Sequence, residues 1–189
     1  MSGQILDGKA VAARLRANLA IAVAQLPLPP QLAVILVGDD PASHVYVGAK
    51  AKATVEAGMR SHEVRLPASV AQAALEAQLT RLSHDPDVDG ILLQLPLPRG
   101  LDEAAALARI DPAKDVDGLT ETSAGRLVLG KSGLRPCTPV GTVMLAKAAQ
   151  ADLSGAHCVV IGRSILVGKP AALLFLEQNC TVSMAHSRT

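Results

Sequence analysis

The chain has 189 residues and a formal charge of +1, with 18 basic against 17 acidic side chains. No run of lysines or arginines forms a stripe, which argues against nucleic-acid binding. Hydrophobic residues make up 49% of the sequence, yet Tyr46 and Phe175 are its only aromatics, so a large core must be built from Ala, Val, Leu and Ile.

The apolar stretches are interrupted by charge or proline before the ~18 residues a membrane span needs. The opening "MSGQILDGKA" lacks the basic-then-apolar layout of a secretory signal. Cys137, Cys158 and Cys180 are widely spaced with no C-x-x-C, and His44, His62, His84, His157 and His186 are scattered. That pattern points away from a disulfide framework or a metal site and towards a reducing cytoplasm.

In chain order, residues 7–26 place apolar side chains at 11, 12, 15, 19 and 23, a helical stripe that "PLPP" stops. "QLAVILVGDD" reads as a buried strand ending in a glycine turn. A helix follows through Ala57 and closes at Gly58. "SHEVRLP" is a second strand. Ser69 and Gln72 have capping-box spacing, which predicts a helix from there to about Leu82. "VDGILLQLPLP" is a third strand running into prolines, and residues 102–109 form a short helix. Residues 110–138 are Gly/Pro-rich and weakly periodic, a long functional loop. Pro139 begins a helix to about Gln150, then come a strand, a helix and the strand "CTVSMAHSRT".

Strands alternating with helices define an α/β fold with a parallel sheet. A boundary near 150 divides the chain into residues 1–150 and 151–189. The second part, a single βαβ, is too small to bury a core alone.

Four places carry candidate chemistry. In "VVIGRSILVGKP" Gly162, Ser164 and Gly168 bracket a strand-to-helix turn, with Arg163 and Val167 between them and Pro170 in the first helical turn. Amide groups at such a helix start attract a pyrophosphate, and glycines let it approach. The next strand ends His186-Ser187-Arg188-Thr189 without the acid that holds a ribose in NAD enzymes, so Arg163, Ser187 and Arg188 favour NADP. Tyr46 and Lys50 share one helix face. A Tyr-x-x-x-Lys pair also occurs in short-chain dehydrogenases, but there it follows the glycine loop, whereas here it precedes it. Gln94 is a polar side chain in an apolar strand, and a buried amide needs partners. Asp115 and Asp117 precede Gly118, where Asp-Gly is also an ordinary turn signal. Cys137 has no histidine paired with it in sequence.

Taken together, "YVGAKAKATVEAGM", "GILLQLPLP", "DPAKDVDGL", "GRL", "PCTPVG", "VVIGRSILVGKPAALLF" and "HSRT" resemble the bifunctional methylenetetrahydrofolate dehydrogenase/methenyltetrahydrofolate cyclohydrolase family in order and spacing. The resemblance implies an N-terminal folate-binding catalytic domain and a Rossmann domain for NADP. It also implies that 5,10-methylenetetrahydrofolate is oxidised and the methenyl product then hydrolysed to 10-formyltetrahydrofolate, a step of one-carbon metabolism serving purine biosynthesis. By the same resemblance Lys50 is the central catalytic residue, with Gln94 bonded to it and Tyr46 against the pterin or aminobenzoyl rings. Asp117 accepts hydrogen bonds from the pterin, and Leu95, Pro96 and Pro136 line the substrate. Gly162, Arg163, Ser164, Val167, Gly168, Ser187 and Arg188 hold the cofactor. A cytoplasmic homodimer is implied, with no membrane or nucleic-acid partner.

Two departures from the family pattern stand out. Ser123 lies where the family often has asparagine. Family members also run further at the C-terminus, so the resemblance implies only the beginning of a Rossmann domain here. A generic NADP dehydrogenase and a folate-binding fragment without turnover are the competing expectations.

Overall fold

The computed structural model describes residues 5–189, and the reading of the N-terminal leader falls partly on residues 1–4, outside them. The fold is α/β, as expected. Helix α1 (Gly8–Val23) is followed by strand β1 (Gln31–Val37), helix α2 (Pro41–Glu56), strand β2 (Arg60–Leu66) and helix α3 (Gln72–His84). Then come β3 (Gly90–Leu93), α4 (Glu103–Leu107), α5 (Glu121–Val128), α6 (Cys137–Ala149), β4 (His157–Ile161), α7 (Gly168–Leu176) and β5 (Thr181–Ala185).

The chain divides into two compact units. One spans residues 13–116, and the other contains residues 117–189 together with the start of α1. In the first, three parallel strands lie in the order β2-β1-β3, with Ile35 opposite Val64 on one side and Leu93 on the other. The run Ala33–Val37 is buried throughout. A parallel strand with neighbours on both sides and cover on both faces needs such an unbroken apolar run. Leu75, Leu79 and Leu82 are buried along α3 at helical spacing. Gly90 opens β3 in a confined place, because a Cβ there would come within 2.6 Å of Cγ1 of Val116. The Val116 side chain occupies the space that any larger residue at position 90 would need.

The expected capping box does not form. Helix α3 starts at Gln72, behind Ala71, with no side-chain cap. The Gln72 amide instead donates to Glu76 Oε1 and the Asp102 carbonyl, while its oxygen accepts the Asp102 N–H. A long-range exchange with the start of α4 outcompetes the local cap.

In the second unit, β4 and β5 pair in parallel, Val159 opposite Ser183. The core here is Leu127, Val143, Leu153, Leu174, Phe175 and Cys180. Because α5 and α6 contribute to the same core as α7, the division falls at Val116–Asp117 rather than near 150. The predicted loop at 110–138 also contains a helix, α5. Thr120 caps it by accepting the Ser123 N–H at 3.2 Å, and its hydroxyl donates to Ser123 Oγ at 3.0 Å. Among the described residues no helix is long and apolar enough to cross a membrane.

Candidate active site

Helix α2 begins where β1 ends, at the carboxyl edge of the first sheet. Asp40 caps it by accepting the Ser43 N–H at 2.8 Å, Pro41 occupies the first turn, and Gly58, at φ 81°, follows its C-terminus. Such a cap and an early proline both favour helix initiation. The Ser43 hydrogen bonds, the backbone N–H foremost, hold the Asp40 carboxyl below its ordinary value of 3.8.

Along α2, Ser43, Val47 and Thr54 are buried against the sheet. Tyr46 and Lys50 lie one turn apart on a flank of that buried face. Tyr46 presents a ring 64% exposed, while Lys50 is half-buried. Lys50 Nζ donates to Gln94 Oε1 at 2.9 Å. Gln94 follows β3, where its N–H still donates to the Ile35 carbonyl. Its Nε2 donates to the Leu95 carbonyl at 2.7 Å. Both ends of the amide are therefore engaged, so its oxygen has one orientation, towards the lysine. Leu95 is half-buried and Pro96, joined to it by a cis peptide, is exposed.

Thr54 was not picked out from the sequence. Its Oγ1 donates to the carbonyl of Lys50 at 2.9 Å, one turn further along α2. The Thr at i+4 from the lysine was the available signal. Asp115 is almost fully buried and bridges to Ile91 of β3, whose N–H donates to the Lys114 carbonyl at 2.7 Å. It belongs to the framework of the first unit.

The other candidates lie in the second unit. Asp117 is half-buried, and Gly118 beside it takes φ 61°. Pro136 is buried and stands at the N-cap of α6, while Cys137 is exposed. Ser123 is buried in α5 and bonded to Thr120, a structural place that a small hydroxyl fits.

The glycine loop leads from β4 into α7. Gly162 has φ 131°, which only glycine adopts readily, and a Cβ at Gly168 would fall 2.5 Å from the Gly162 carbonyl. Ser164 Oγ accepts the N–H groups of Val167 and Gly168 at 3.1 and 3.2 Å, and the Ser164 carbonyl accepts from Lys169. The amides at the helix start, Val167 included, are thus already satisfied within the loop. The N–H groups of residues 163–166 donate to no acceptor among the described residues, and the Ser164 hydroxyl retains its own proton to donate. Arg163, Ser164 and Val167 are exposed. Beyond β5, residues 186–189 form a turn in which His186 and Thr189 exchange backbone and side-chain bonds and Arg188 N–H donates to His186 Nδ1. The Ser187 and Arg188 side chains are left exposed. Free amides, close glycines and exposed arginines fit a dinucleotide pyrophosphate with an anionic ribose substituent.

A lysine–amide pair at the carboxyl edge of a parallel sheet and a strand–glycine loop–helix unit define the α/β class of this scaffold. The chain belongs to the tetrahydrofolate dehydrogenase/cyclohydrolase family: residues 6–117 match its catalytic domain and residues 136–189 its NAD(P)-binding domain. It is 65% identical over 190 residues to the bifunctional protein FolD of Hyphomonas neptunium, covering all of this chain and 64% of that protein. The FolD of Maricaulis maris is 58% identical, with 65% of its length covered. This chain thus spans somewhat less than two thirds of these relatives. Among solved structures, the Campylobacter jejuni bifunctional enzyme superposes with TM-score 0.94 at 43% identity, covering 98% of this chain and 67% of that one. The Trypanosoma brucei enzyme, solved with NADP and an inhibitor, also gives 0.94 at 35% identity, covering 100% and 66%.

Proposed function

We propose that the chain oxidises 5,10-methylenetetrahydrofolate with NADP and hydrolyses the resulting 5,10-methenyltetrahydrofolate to 10-formyltetrahydrofolate. The observation that carries this reading is the Lys50 Nζ–Gln94 Oε1 bond beside an exposed Tyr46, on the scaffold of this family. When bound, the oxidised nicotinamide accepts the hydride that leaves the methylene carbon.

The dehydrogenase step asks little acid–base chemistry of the chain, because the folate nitrogens stabilise the cation as hydride departs. The protein's task is alignment. Tyr46 offers a flat exposed face for a ring, and Asp117 offers carboxylate oxygens for the N–H donors of the pterin. Leu95, Pro96 and Pro136 would line the substrate. Gly162, Gly168, Ser164 and the amides of 163–166 would hold the pyrophosphate, with Arg163, Ser187 and Arg188 on the ribose phosphate.

The hydrolytic step needs a base. A cationic methenyl substrate is a like-charge neighbour that favours the neutral amine of Lys50. The amine removes a proton from water as oxygen bonds to the methenyl carbon. The hydroxyl of the adduct then loses its proton to solvent as the carbonyl forms and the carbon–nitrogen bond breaks, and the proton held by Lys50 passes to the departing ring nitrogen. Gln94 Oε1 orients Nζ without adding charge. A cytoplasmic homodimer is part of this proposal, and the free thiols of Cys137, Cys158 and Cys180 suit a reducing compartment.

The test is nicotinamide reduction and methenyl hydrolysis by the 189-residue chain, NADP against NAD, with Lys50→Ala as control. The expected result is NADP-preferring turnover and a loss of hydrolysis of about 10²–10⁴-fold in the variant. Folate binding without turnover would support the fragment reading instead. Reduction that ignores folate would support a generic dehydrogenase.

A further inference from the structure

Arg135 lies in the second unit, in the stretch between α5 and α6, and its side chain is only 15% exposed. Its Nη2 donates to the carbonyl of Lys131, just past α5, and forms an ion pair at 3.5 Å with Glu177, the residue that ends α7. Its Nη1 is buried with no partner among the described residues. Gly133 lies against this side chain. A Cβ there would come 3.1 Å from Arg126 Cδ and 3.6 Å from Arg135 Nη1.

The backbone of the same residue bears on the other candidate site. A Cβ on Gly118 would meet the Arg135 carbonyl carbon and the Pro136 nitrogen, each at 3.0 Å. The turn that follows Asp117 therefore rests directly on residues 135–136.

Residues 130–134 supply no buried apolar side chain to hold this segment, Leu134 being 37% exposed. A mostly buried guanidinium with one unpaired nitrogen is costly unless its remaining bonds are kept. Between helices α5 and α6, which pack on α7 at either side, the Arg135–Glu177 pair is the polar tie from this segment to α7. That helix begins at Gly168 in the dinucleotide loop and ends at the carboxylate that Arg135 grips.

We propose that Arg135 is a positioning residue that joins the Asp117–Gly118 turn to α7, so that filling the dinucleotide loop at one end of the helix tightens the pterin contact at the other. This rests on the functional reading above. Linkage makes the effect reciprocal, with each ligand raising the affinity for the other by the same factor.

The experiment is calorimetric titration of the full chain with tetrahydrofolate, with and without saturating NADP. Wild type is expected to bind tetrahydrofolate about fivefold more tightly when NADP is present. Arg135→Met and Glu177→Gln should each bring that factor to about one while leaving NADP binding alone unchanged, and Arg135→Lys should restore part of it. Glu177→Gln keeps the arginine packed, so it carries the test even where Arg135→Met does not fold. An unchanged coupling factor in folded Glu177→Gln overturns the inference. Wild type that binds both ligands independently overturns it too, while the functional reading survives. Wild type that binds neither removes the functional reading and this inference with it.

Discussion

The two sheets use similar residues to different ends. In the first unit, β1 is buried from Ala33 to Val37, whereas β4 in the second alternates, leaving Val159 58% and Ile161 85% exposed. Each strand ends in a glycine at positive φ, Gly38 and Gly162, and each leads towards a helix carrying candidate chemistry. In the first unit the proposed chemistry is borne by side chains, Lys50 and Gln94, which need rigid strands and a rigid helix to meet at 2.9 Å. In the second it is borne by backbone amides in a loop that the Ser164 hydroxyl organises from within. A side-chain site depends on its core. An amide site depends on local turn geometry.

The strongest way to break that contrast is to hollow each sheet in turn. Ile35→Ala, at a fully buried position, should destabilise the first unit by about 2–5 kcal/mol. Ile161→Ala, at an exposed one, should stay within about 0.5 kcal/mol. Urea unfolding of the two variants measures both, and equal losses would erase the distinction. Next in size is Gly168→Ala. The added methyl must displace the Gly162 carbonyl at 2.5 Å, a backbone shift expected to cost about 1–3 kcal/mol. NADP affinity should fall while tetrahydrofolate affinity in the absence of NADP stays near wild type, which paired titrations would check.

The smallest effect concerns acid. Asp40, capping α2, has its carboxyl lowered by its bonds to Ser43. Its contribution to stability is therefore fully present above its ordinary value of 3.8 and disappears as pH falls through the lower folded value. Asp40→Asn should be less stable than wild type at neutral pH, with the gap closing in strong acid. A gap that widened towards acid in thermal melts would contradict the cap.

Much of the scaffold could be read directly from the residues. The apolar runs announced β1 and β3, Gly58 marked the end of α2, and the Tyr46–Lys50 spacing and the amide Gln94 in an apolar strand drew attention to the two residues that the structure joins by a hydrogen bond. What escaped were features decided by distant partners. Helix α5 was hidden because Gly118, Gly125 and Gly130 read as breakers, yet Thr120 and the burial of Leu127 sustain it. The Ser69–Gln72 cap failed because Gln72 found Asp102. Arg135 lies in the stretch read as a loop, and its ion-pair partner Glu177 is far along the chain. The amide donors were assigned to the helix start, but Ser164 shifts them one turn earlier.

The fit of Val116 over Gly90 couples two positions that are far apart in the chain. Any side chain at position 90 requires a smaller one at 116, and a smaller one at 116 alone leaves a gap beside β3. The last residue of one unit thereby limits what can stand as the first residue of a strand inside it.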